Sequence, residues 1–200
     1  MNNLSSEKNE TPVIKAGFAF CGSFCTFSEV MPIVEKLVGL GYEITPIMSE
    51  FAYCTSTRFG NAEDFIMQLE GITGNKVLHT IAEVEPFGPG ALLDALIIAP
   101  CTGNTLSKMS LGITDTCVTM AAKAHLRNER PVLLAASTND ALANTAKNIG
   151  NLLNCKNIYF VPMQQDSPQG KPRSVVANFS LIPTALQAAL NSKQLQPIYM

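Results

Sequence analysis

The apolar run Asp94–Ala99 (DALIIA) constrains the fold more than any other segment of this chain. A run of strand length with no polar alternation is typical of a strand that is buried on both faces of a parallel sheet. Further apolar runs at 13–20, 42–48, 131–136 and 157–162 are separated by segments with helical spacing. Strands that alternate with helices in this way predict right-handed crossovers, and therefore an α/β domain with a doubly wound parallel sheet.

The segments between these strands complete the predicted architecture. Asp115 is expected to cap one of the helices, and residues 164–173 are predicted as a polar loop because they are rich in Pro, Gly and Gln. Residues 76–80 are predicted as a short strand and 85–90 as a rigid loop. The predicted helices cover residues 27–40, 62–70, 106–109, 115–127, 139–153 and 179–192. Residues 1–12 are expected to form a disordered tail, and residues 13–200 a single domain.

Composition excludes several classes of function. Of the 200 residues, 46% are hydrophobic and only 15% are charged, so we expect self-association to cover part of the surface. The helix 114–127, with Val118, Met120, Ala121 and Ala122, is the predicted contact surface. A net charge of −2 gives no basic footprint for nucleic acid, and no apolar run approaches the ~20 residues of a membrane-spanning helix.

The six cysteines and the N-terminus favour a cytoplasmic protein. The cysteines are scattered through mainly apolar segments, and Cys21 and Cys25 have no second pair with which to complete a zinc site. We therefore expect free thiols in a reducing compartment, and no metal. The polar N-terminal segment has no apolar core of the kind found in a signal peptide.

Three loops that follow predicted strands carry small hydroxyl or glycine residues. Gly22-Ser23 follows the first strand, Ser49 follows the second, and the turn Pro100–Thr105 follows the strand at Asp94. Glycine lets backbone N–H groups approach a phosphate, and hydroxyls supply neutral donors. Helix capping by the same residue types is the alternative explanation. Because all three loops are expected at one edge of the sheet, they form a candidate phosphate site.

Nucleotide-binding motifs of other kinds are missing. The first strand is followed by Cys21-Gly22-Ser23-Phe24-Cys25 rather than by G-x-G-x-x-G, and no Walker lysine follows a glycine loop. The sequence thus disfavours binding of a nicotinamide dinucleotide or of ATP by this chain alone.

The ordered motifs Cys21-Gly22-Ser23, Met48-Ser49-Glu50, Pro100–Thr105 and Leu111–Asp115 resemble those of the homo-oligomeric flavin-containing cysteine decarboxylases and the flavin prenyltransferases. This resemblance implies a flavodoxin-like, Rossmann-like three-layer fold and a bound FMN. It also implies that Asp115 supports the site or a trimer interface, so that the homo-oligomer would be trimer-based. The implied cofactor-binding residues are Gly22, Ser23, Ser49, Pro100, Thr102, Asn104 and Thr105.

The chain departs from the decarboxylase pattern at the catalytic positions. Glu85–Pro89 stands where the family has a catalytic histidine, and residues 166–173 contain no flap cysteine. His79 and Asn139 are the remaining catalytic candidates. Decarboxylation of cysteine is therefore not expected.

A second resemblance fits these departures. The segments Gly22–Phe27, Ala99–Thr105, Leu111–Thr116 and Ala135–Leu142 are similar to those of the family of dipicolinate synthase B subunits. That family implies an NADP-linked oxidation of a dihydrodipicolinate-type precursor to dipicolinic acid in the cytoplasm of a sporulating mother cell. It also implies a partner, the A subunit of the synthase, which would bind NADP.

A dicarboxylate substrate requires cationic or N–H donors. Arg58, Lys171 and Arg173 are the candidate substrate-binding residues, although charges in polar loops are often only solvated. Two other functions remain open. One is an independent FMN-dependent decarboxylase or prenyltransferase-like enzyme, and the other is a non-catalytic assembly subunit with a relict flavin pocket.

Overall fold

A central sheet organises the computed structural model, which describes residues 13–90 and 92–200. The predicted tail, residues 1–12, lies outside the described residues. The strands are β1 (Lys15–Phe20), β2 (Glu43–Met48), β3 (Ala95–Cys101), β4 (Val132–Thr138), β5 (Ile158–Phe160), β6 (Met163–Ser167) and β7 (Lys171–Ala177). The apolar run from which the fold was predicted is β3, and all residues of this strand are buried.

The sheet is parallel through its centre. Strands β2, β1, β3 and β4 are parallel neighbours in that order, and β5 pairs in parallel with the first half of β4. The predicted single α/β domain with a mainly parallel sheet is thus confirmed. The end of β4 pairs antiparallel with β7, and β7 pairs antiparallel with β6. The prediction of a polar loop at 164–173 was wrong, because these residues form a hairpin that pairs with β4 through Ser137 and Thr138.

Helices cover both faces of the sheet. They are α1 (Phe27–Gly39), α2 (Glu50–Cys54), α3 (Ala62–Thr73), α4 (Ile81–Val84), α5 (Phe87–Gly90), α6 (Gly103–Ser110), α7 (Cys117–Arg127), α8 (Ala146–Leu153) and α9 (Ile182–Leu190). Short 3₁₀ turns at Phe24–Thr26 and Phe179–Leu181 precede α1 and α9. None of the helices in the described part of the chain has the length and apolarity to cross a bilayer.

Three local predictions differ from the structure. The helix predicted at 139–153 begins only at Ala146, because the backbone carbonyl of Asp140 accepts from the N–H groups of Ala143 and Thr145 and holds a turn. The strand predicted at 76–80 is a single bridge between Leu78 and Ile47. The loop predicted at 85–90 contains the helical turn α5.

Asp115 does not cap α7. The cap is Thr116, whose hydroxyl accepts from the Thr119 N–H while the Thr119 hydroxyl accepts from the Thr116 N–H. Asp115 is exposed and accepts from Lys108 Nζ at 2.8 Å, which lowers the pKa of its carboxyl. This ion pair ties the end of α6 to the start of α7.

Alternate residues of the central strands pack on opposite faces. Phe18, Phe20 and Ile97 face α1 and α9, whereas Leu96 and Ile98 face α7. Val118, Ala121 and Ala122 of α7 are buried within this second core, so the prediction that they form a contact surface between copies was wrong. Because both faces of the strands are covered, the carboxyl edge of the sheet and its loops are where a ligand is expected to bind.

Candidate functional site

A cavity of about 1040 Å³ opens at the carboxyl ends of β1, β3 and β4. Its walls come from the loops that follow these strands, from the segment after α2 and from the β6–β7 hairpin. The residues that line it are Gly22, Ser23, Phe24, Cys25, Thr26, Glu29, Thr57, Arg58, Phe59, Thr102, Gly103, Asn104, Ser107, Ser137, Thr138, Asn139, Asp140, Thr145, Gln164, Asp166, Lys171, Ser174, Val175 and Val176.

A pair of serines joins two loops at one end of this cavity. The Ser23 and Ser137 hydroxyls are 2.9 Å apart, which links the loop after β1 to the end of β4. The Thr26 hydroxyl donates to the Ser23 carbonyl at 2.9 Å and fixes the turn. A side chain at Gly22 would bring its Cβ within 3.0 Å of the Phe51 ring. This serine end therefore presents neutral hydroxyls on a closely packed backbone.

A carboxylate, that of Asp140, lies at the cavity beside the start of α6, and this place is called the Asp140 end below. The Asp140 carboxylate accepts from the Thr138 hydroxyl at 2.6 Å and from the Thr145 hydroxyl at 2.8 Å. Thr102 caps α6 by accepting from the Thr105 N–H. A Cβ at Gly103 would lie 2.6 Å from Thr138 Oγ1 and 2.8 Å from Asp140 Oδ1, so the native packing here requires glycine.

Two of the three predicted substrate-binding cations line the cavity. Arg58 lies with its guanidinium carbon 4.9 Å from the centre of the Phe59 ring. Lys171, on the hairpin, donates to Asp166 at 2.5 Å, and this hydrogen bond raises the pKa of its amine. Arg173 is exposed and does not contribute to the lining; its carbonyl accepts from the Leu142 N–H. The cations at the cavity thus come from two segments, Arg58 from the one after α2 and Lys171 from the β6–β7 hairpin.

Five other residues were predicted to bind the cofactor, and only two of them line the cavity. Thr102 and Asn104 line the cavity. Ser49 does not, because its hydroxyl caps α2 by accepting from the Ala52 N–H at 3.2 Å. Pro100 is buried at the end of β3, where its carbonyl accepts from the Cys21 N–H. Thr105 is buried, and its hydroxyl donates to the Cys21 sulfur at 3.3 Å.

The two histidines lie away from the cavity. His79 stacks on Tyr53 with ring centres 3.7 Å apart, and its Nδ1 is 3.6 Å from Glu83 Oε2. His125 is buried in α7, and this burial lowers the pKa of its imidazole to about 4. Asn139, the other catalytic candidate, is exposed and does line the cavity.

The cysteines of this part of the chain differ in their burial and in the pKa of their thiols. Burial raises the pKa of the Cys21 thiol to about 11 and that of Cys117 to about 12, so both are protonated at neutral pH. Burial also raises the pKa of Cys101. Cys25 is exposed on the cavity wall, with its sulfur 3.9 Å from Ser23 Oγ.

Sequence reasoning missed the end of β4 and the loop that follows it. Ser137, Thr138 and Asp140 line the cavity, but only Asn139 was named as a candidate here, and a helix was predicted to begin at that residue. The signal was present, since A-A-S-T-N-D places hydroxyl and carboxylate residues directly after a buried strand, as in the other loops. The hairpin residues were missed because their alternation is mostly polar.

The residues of the cavity fit a flavin mononucleotide. Sites for cofactors of this size have volumes of about 300–1,000 Å³ and a few fixed polar groups. The serine end offers neutral hydroxyls suited to a phosphate, and both cations face the same space. Gly22 and Gly103 let the loops around the cavity pack closely, since a Cβ at Gly22 would meet the Phe51 ring and one at Gly103 would meet Thr138.

This doubly wound sheet, with a cavity at its carboxyl edge, places the chain among the α/β proteins that bind a ligand at that edge. The chain belongs to the Flavoprotein family, whose model matches residues 4–182.

Comparison with individual proteins shows which members of this family the chain is similar to. The chain is 44% identical over 184 residues to the B subunit of dipicolinate synthase from Bacillus subtilis, covering 92% of each chain. It superposes on the crystal structure of the B subunit of dipicolinate synthase from Bacillus halodurans with a TM-score of 0.86 and 43% identity, covering 94% of this chain and 96% of that one. An FMN-dependent cysteine decarboxylase shares the fold, with a TM-score of 0.64 and 24% identity over 88% of this chain and 97% of that one.

Proposed function

We propose that this chain is the B subunit of a dipicolinate synthase. In this role it works with a separate A subunit in the NADP-linked oxidation of a dihydrodipicolinate-type precursor to dipicolinic acid during sporulation. The observation that carries the proposal is the 44% identity with a dipicolinate synthase B subunit over 92% of both chains. Such a protein works in the cytoplasm of the mother cell.

FMN is the proposed resident cofactor. Ser23 and Ser137 would hold its phosphate, because their neutral hydroxyls lie 2.9 Å apart and both residues line the cavity. Thr102 and Asn104 would line its ribityl and ring portion. A bound flavin supplies hydride or single-electron transfer. The NADP of the reaction is assigned to the A subunit, since this chain lacks the glycine fingerprint of a dinucleotide site.

Arg58 and Lys171 are proposed to bind a dicarboxylate substrate. Both residues line the cavity, and a dicarboxylate has one carboxylate for each of them. Guanidinium and ammonium groups differ in geometry, so Arg58 would form a fork with one carboxylate and Lys171 a point contact with the other. The hairpin that carries Lys171 forms part of the cavity lining.

Self-association is also proposed, with trimers as the unit. The loop between α6 and α7 exposes Leu111 and Ile113, at 71% and 42% of their maximal areas, and the ion pair of Lys108 with Asp115 holds this loop. Light scattering at micromolar concentration should give a mass several times the 21.5 kDa of one chain. A monomer would refute this part of the proposal.

Cysteine decarboxylation is a poor fit for this cavity. In the described part of the chain its lining includes no histidine, and His79 is engaged with Tyr53 and Glu83. General acid–base groups usually contribute ~10²–10⁴-fold in rate, so their loss is hard to compensate. FMN-loaded protein incubated with a peptidyl-cysteine substrate should release no carbon dioxide. Release that disappears in His79→Ala would contradict this interpretation.

Reconstitution tests the proposed function. Oxidation of the precursor is measured in three mixtures, which contain only the A subunit, only this chain, or both, with NADP present throughout. Dipicolinate should form only when both chains are present, and Arg58→Gln should reduce the rate of the complete system. A full rate in the mixture that lacks this chain would contradict a catalytic role and favour a non-catalytic assembly subunit.

A further inference from the structure

The Asp140 carboxylate is held in one position beside the cavity. Each of its oxygens accepts from one threonine hydroxyl, Oδ1 from Thr138 and Oδ2 from Thr145. Thr145 is only 1% exposed, and Thr138 is paired in register with Val175 of β7. Both donors are therefore fixed by the fold, and so is the negative charge that they hold.

This carboxylate lies at the start of α6. Gly103 is the first residue of that helix, and a Cβ there would be 2.8 Å from Asp140 Oδ1. The free N–H groups in the first turn of a helix usually attract anions. Here a side chain of the protein already supplies the negative charge. A phosphate or carboxylate of a ligand at the same place would be repelled by it.

The carboxylate can still accept hydrogen bonds. An ionised carboxyl has about four acceptor positions, and the threonines use one on each oxygen. A ligand group that donates through N–H or O–H is thus the chemical complement of the Asp140 end. The serine end has the opposite character, because Ser23 and Ser137 are neutral and Arg58 and Lys171 share the cavity with them.

We infer that Asp140 determines the direction in which an elongated ligand enters this cavity. It reserves the α6 end for the hydrogen-bond-donating part of the ligand, which for a flavin is the ring imide or the ribityl hydroxyls, and it directs the phosphate to the serine end. The inference deepens the proposed function and depends on it for the identity of the ligand. Asp140 acts as a specificity-determining residue.

Binding of three probes tests this inference. Inorganic phosphate is titrated by ³¹P NMR, and riboflavin and FMN are titrated by fluorescence quenching, against the native chain and Asp140→Asn. The substitution should weaken riboflavin and FMN by a similar factor, roughly tenfold, because a charge-assisted hydrogen bond is lost from a part that both flavins share. It should increase the affinity for inorganic phosphate by roughly fivefold or more, because a repelling charge is removed from the helix terminus.

Glu35→Gln is the matched control, since it removes an equal charge from an exposed residue of α1 that does not line the cavity. It should change each affinity by less than about twofold, because exposed charges are well screened. If circular dichroism shows that Asp140→Asn is unfolded, Asp140→Ser retains a hydroxyl for the threonines and takes its place.

Phosphate affinity that is the same in the native and the substituted chain would overturn the inference. So would a loss confined to FMN, since that would place the phosphate rather than the donor groups near Asp140. A native chain that binds neither flavin would refute the proposed cofactor instead. In that case the phosphate titration still decides whether Asp140 repels anions from the α6 terminus.

Discussion

Ser23 and Ser49 follow neighbouring parallel strands, yet they lie in different environments. Ser23 lines the cavity and pairs with Ser137 across 114 residues of sequence at 2.9 Å. Ser49 points into its own helix and caps α2 through the Ala52 N–H. The sequence pattern predicts that both serines belong to the phosphate site. Their different surroundings show that a hydroxyl after a strand becomes part of a site only where a partner loop meets it.

The largest effect is expected at Gly103, where the loops after β3 and β4 make contact. Gly103→Ala would place its Cβ 2.6 Å from Thr138 Oγ1, and overpacking of this kind typically costs about 1–3 kcal/mol of stability. Because the displaced groups include Asp140, FMN affinity should fall by at least the roughly tenfold expected for Asp140→Asn. Urea unfolding and FMN titration measure both effects.

Gly150→Ala is the control for that substitution. Gly150 lies in α8, and a Cβ there meets nothing within 4 Å. Alanine should stabilise the protein by about 0.5–1 kcal/mol, since it is the better helix former. Equal behaviour of the two variants would show that the cavity does not depend on the close approach at Gly103.

The pH dependence of stability tests a region outside the cavity, the buried histidine His125 of α7. Its imidazole is 1% exposed, and burial lowers its pKa from 6.5 to about 4. Arg130 disfavours the charged form further, while Asp94 opposes this shift. Above pH 6.5 the imidazole is neutral in both the folded and the unfolded state, so His125 does not lower the free energy of unfolding there. As the pH falls from 6.5 to 4, the unfolded chain binds a proton that the folded chain resists, and on the order of 3 kcal/mol is lost.

His125→Leu should remove this part of the pH dependence. Urea unfolding at pH 7 and at pH 4.5 is compared for the two proteins, and the native chain should lose more stability than the variant between these pH values. FMN affinity at pH 7 should be unchanged by the substitution, because His125 does not line the cavity. An identical pH dependence would mean that the histidine is accessible to protons in the folded state.

Ser23→Ala tests the comparison of the two serines at the cavity itself. A lost hydrogen bond to a charged phosphate costs about 1.5–3 kcal/mol, or roughly 10- to 150-fold in Kd. Stability should change much less than affinity, because Ser23 is only partly buried. Fluorescence titration with FMN gives the Kd, and an unchanged value would remove Ser23 from the phosphate site.

Ser49→Ala should show the reverse pattern, with the smallest effect on affinity. Loss of a helix cap costs about 1 kcal/mol of stability. If Ser49 only caps α2, FMN affinity should change by less than about threefold, well below the effect of Ser23→Ala. A loss of affinity equal to that of Ser23→Ala would restore Ser49 to the phosphate site, where the sequence pattern had placed it.

Much of the architecture could be predicted because it is local. The apolar run of β3 identified the buried centre of the sheet, and loop residues such as Ser23 and Thr102 were found because they follow strands directly. The β6–β7 hairpin could not be found in this way, because its pairing with Ser137 and Thr138 is a tertiary contact between polar segments. Asp140 was missed for a similar reason, since its position beside Gly103 of α6 is a tertiary contact, although its hydrogen bond with Thr145 is local.

A crystal structure of this chain with FMN is the decisive measurement for the proposed site. We predict that the phosphate lies within about 3 Å of the Ser23 or Ser137 hydroxyl, with the ribityl and ring portion extending toward Asp140. Binding of FMN with its phosphate against the start of α6, or at a place outside this cavity, would contradict the proposed site.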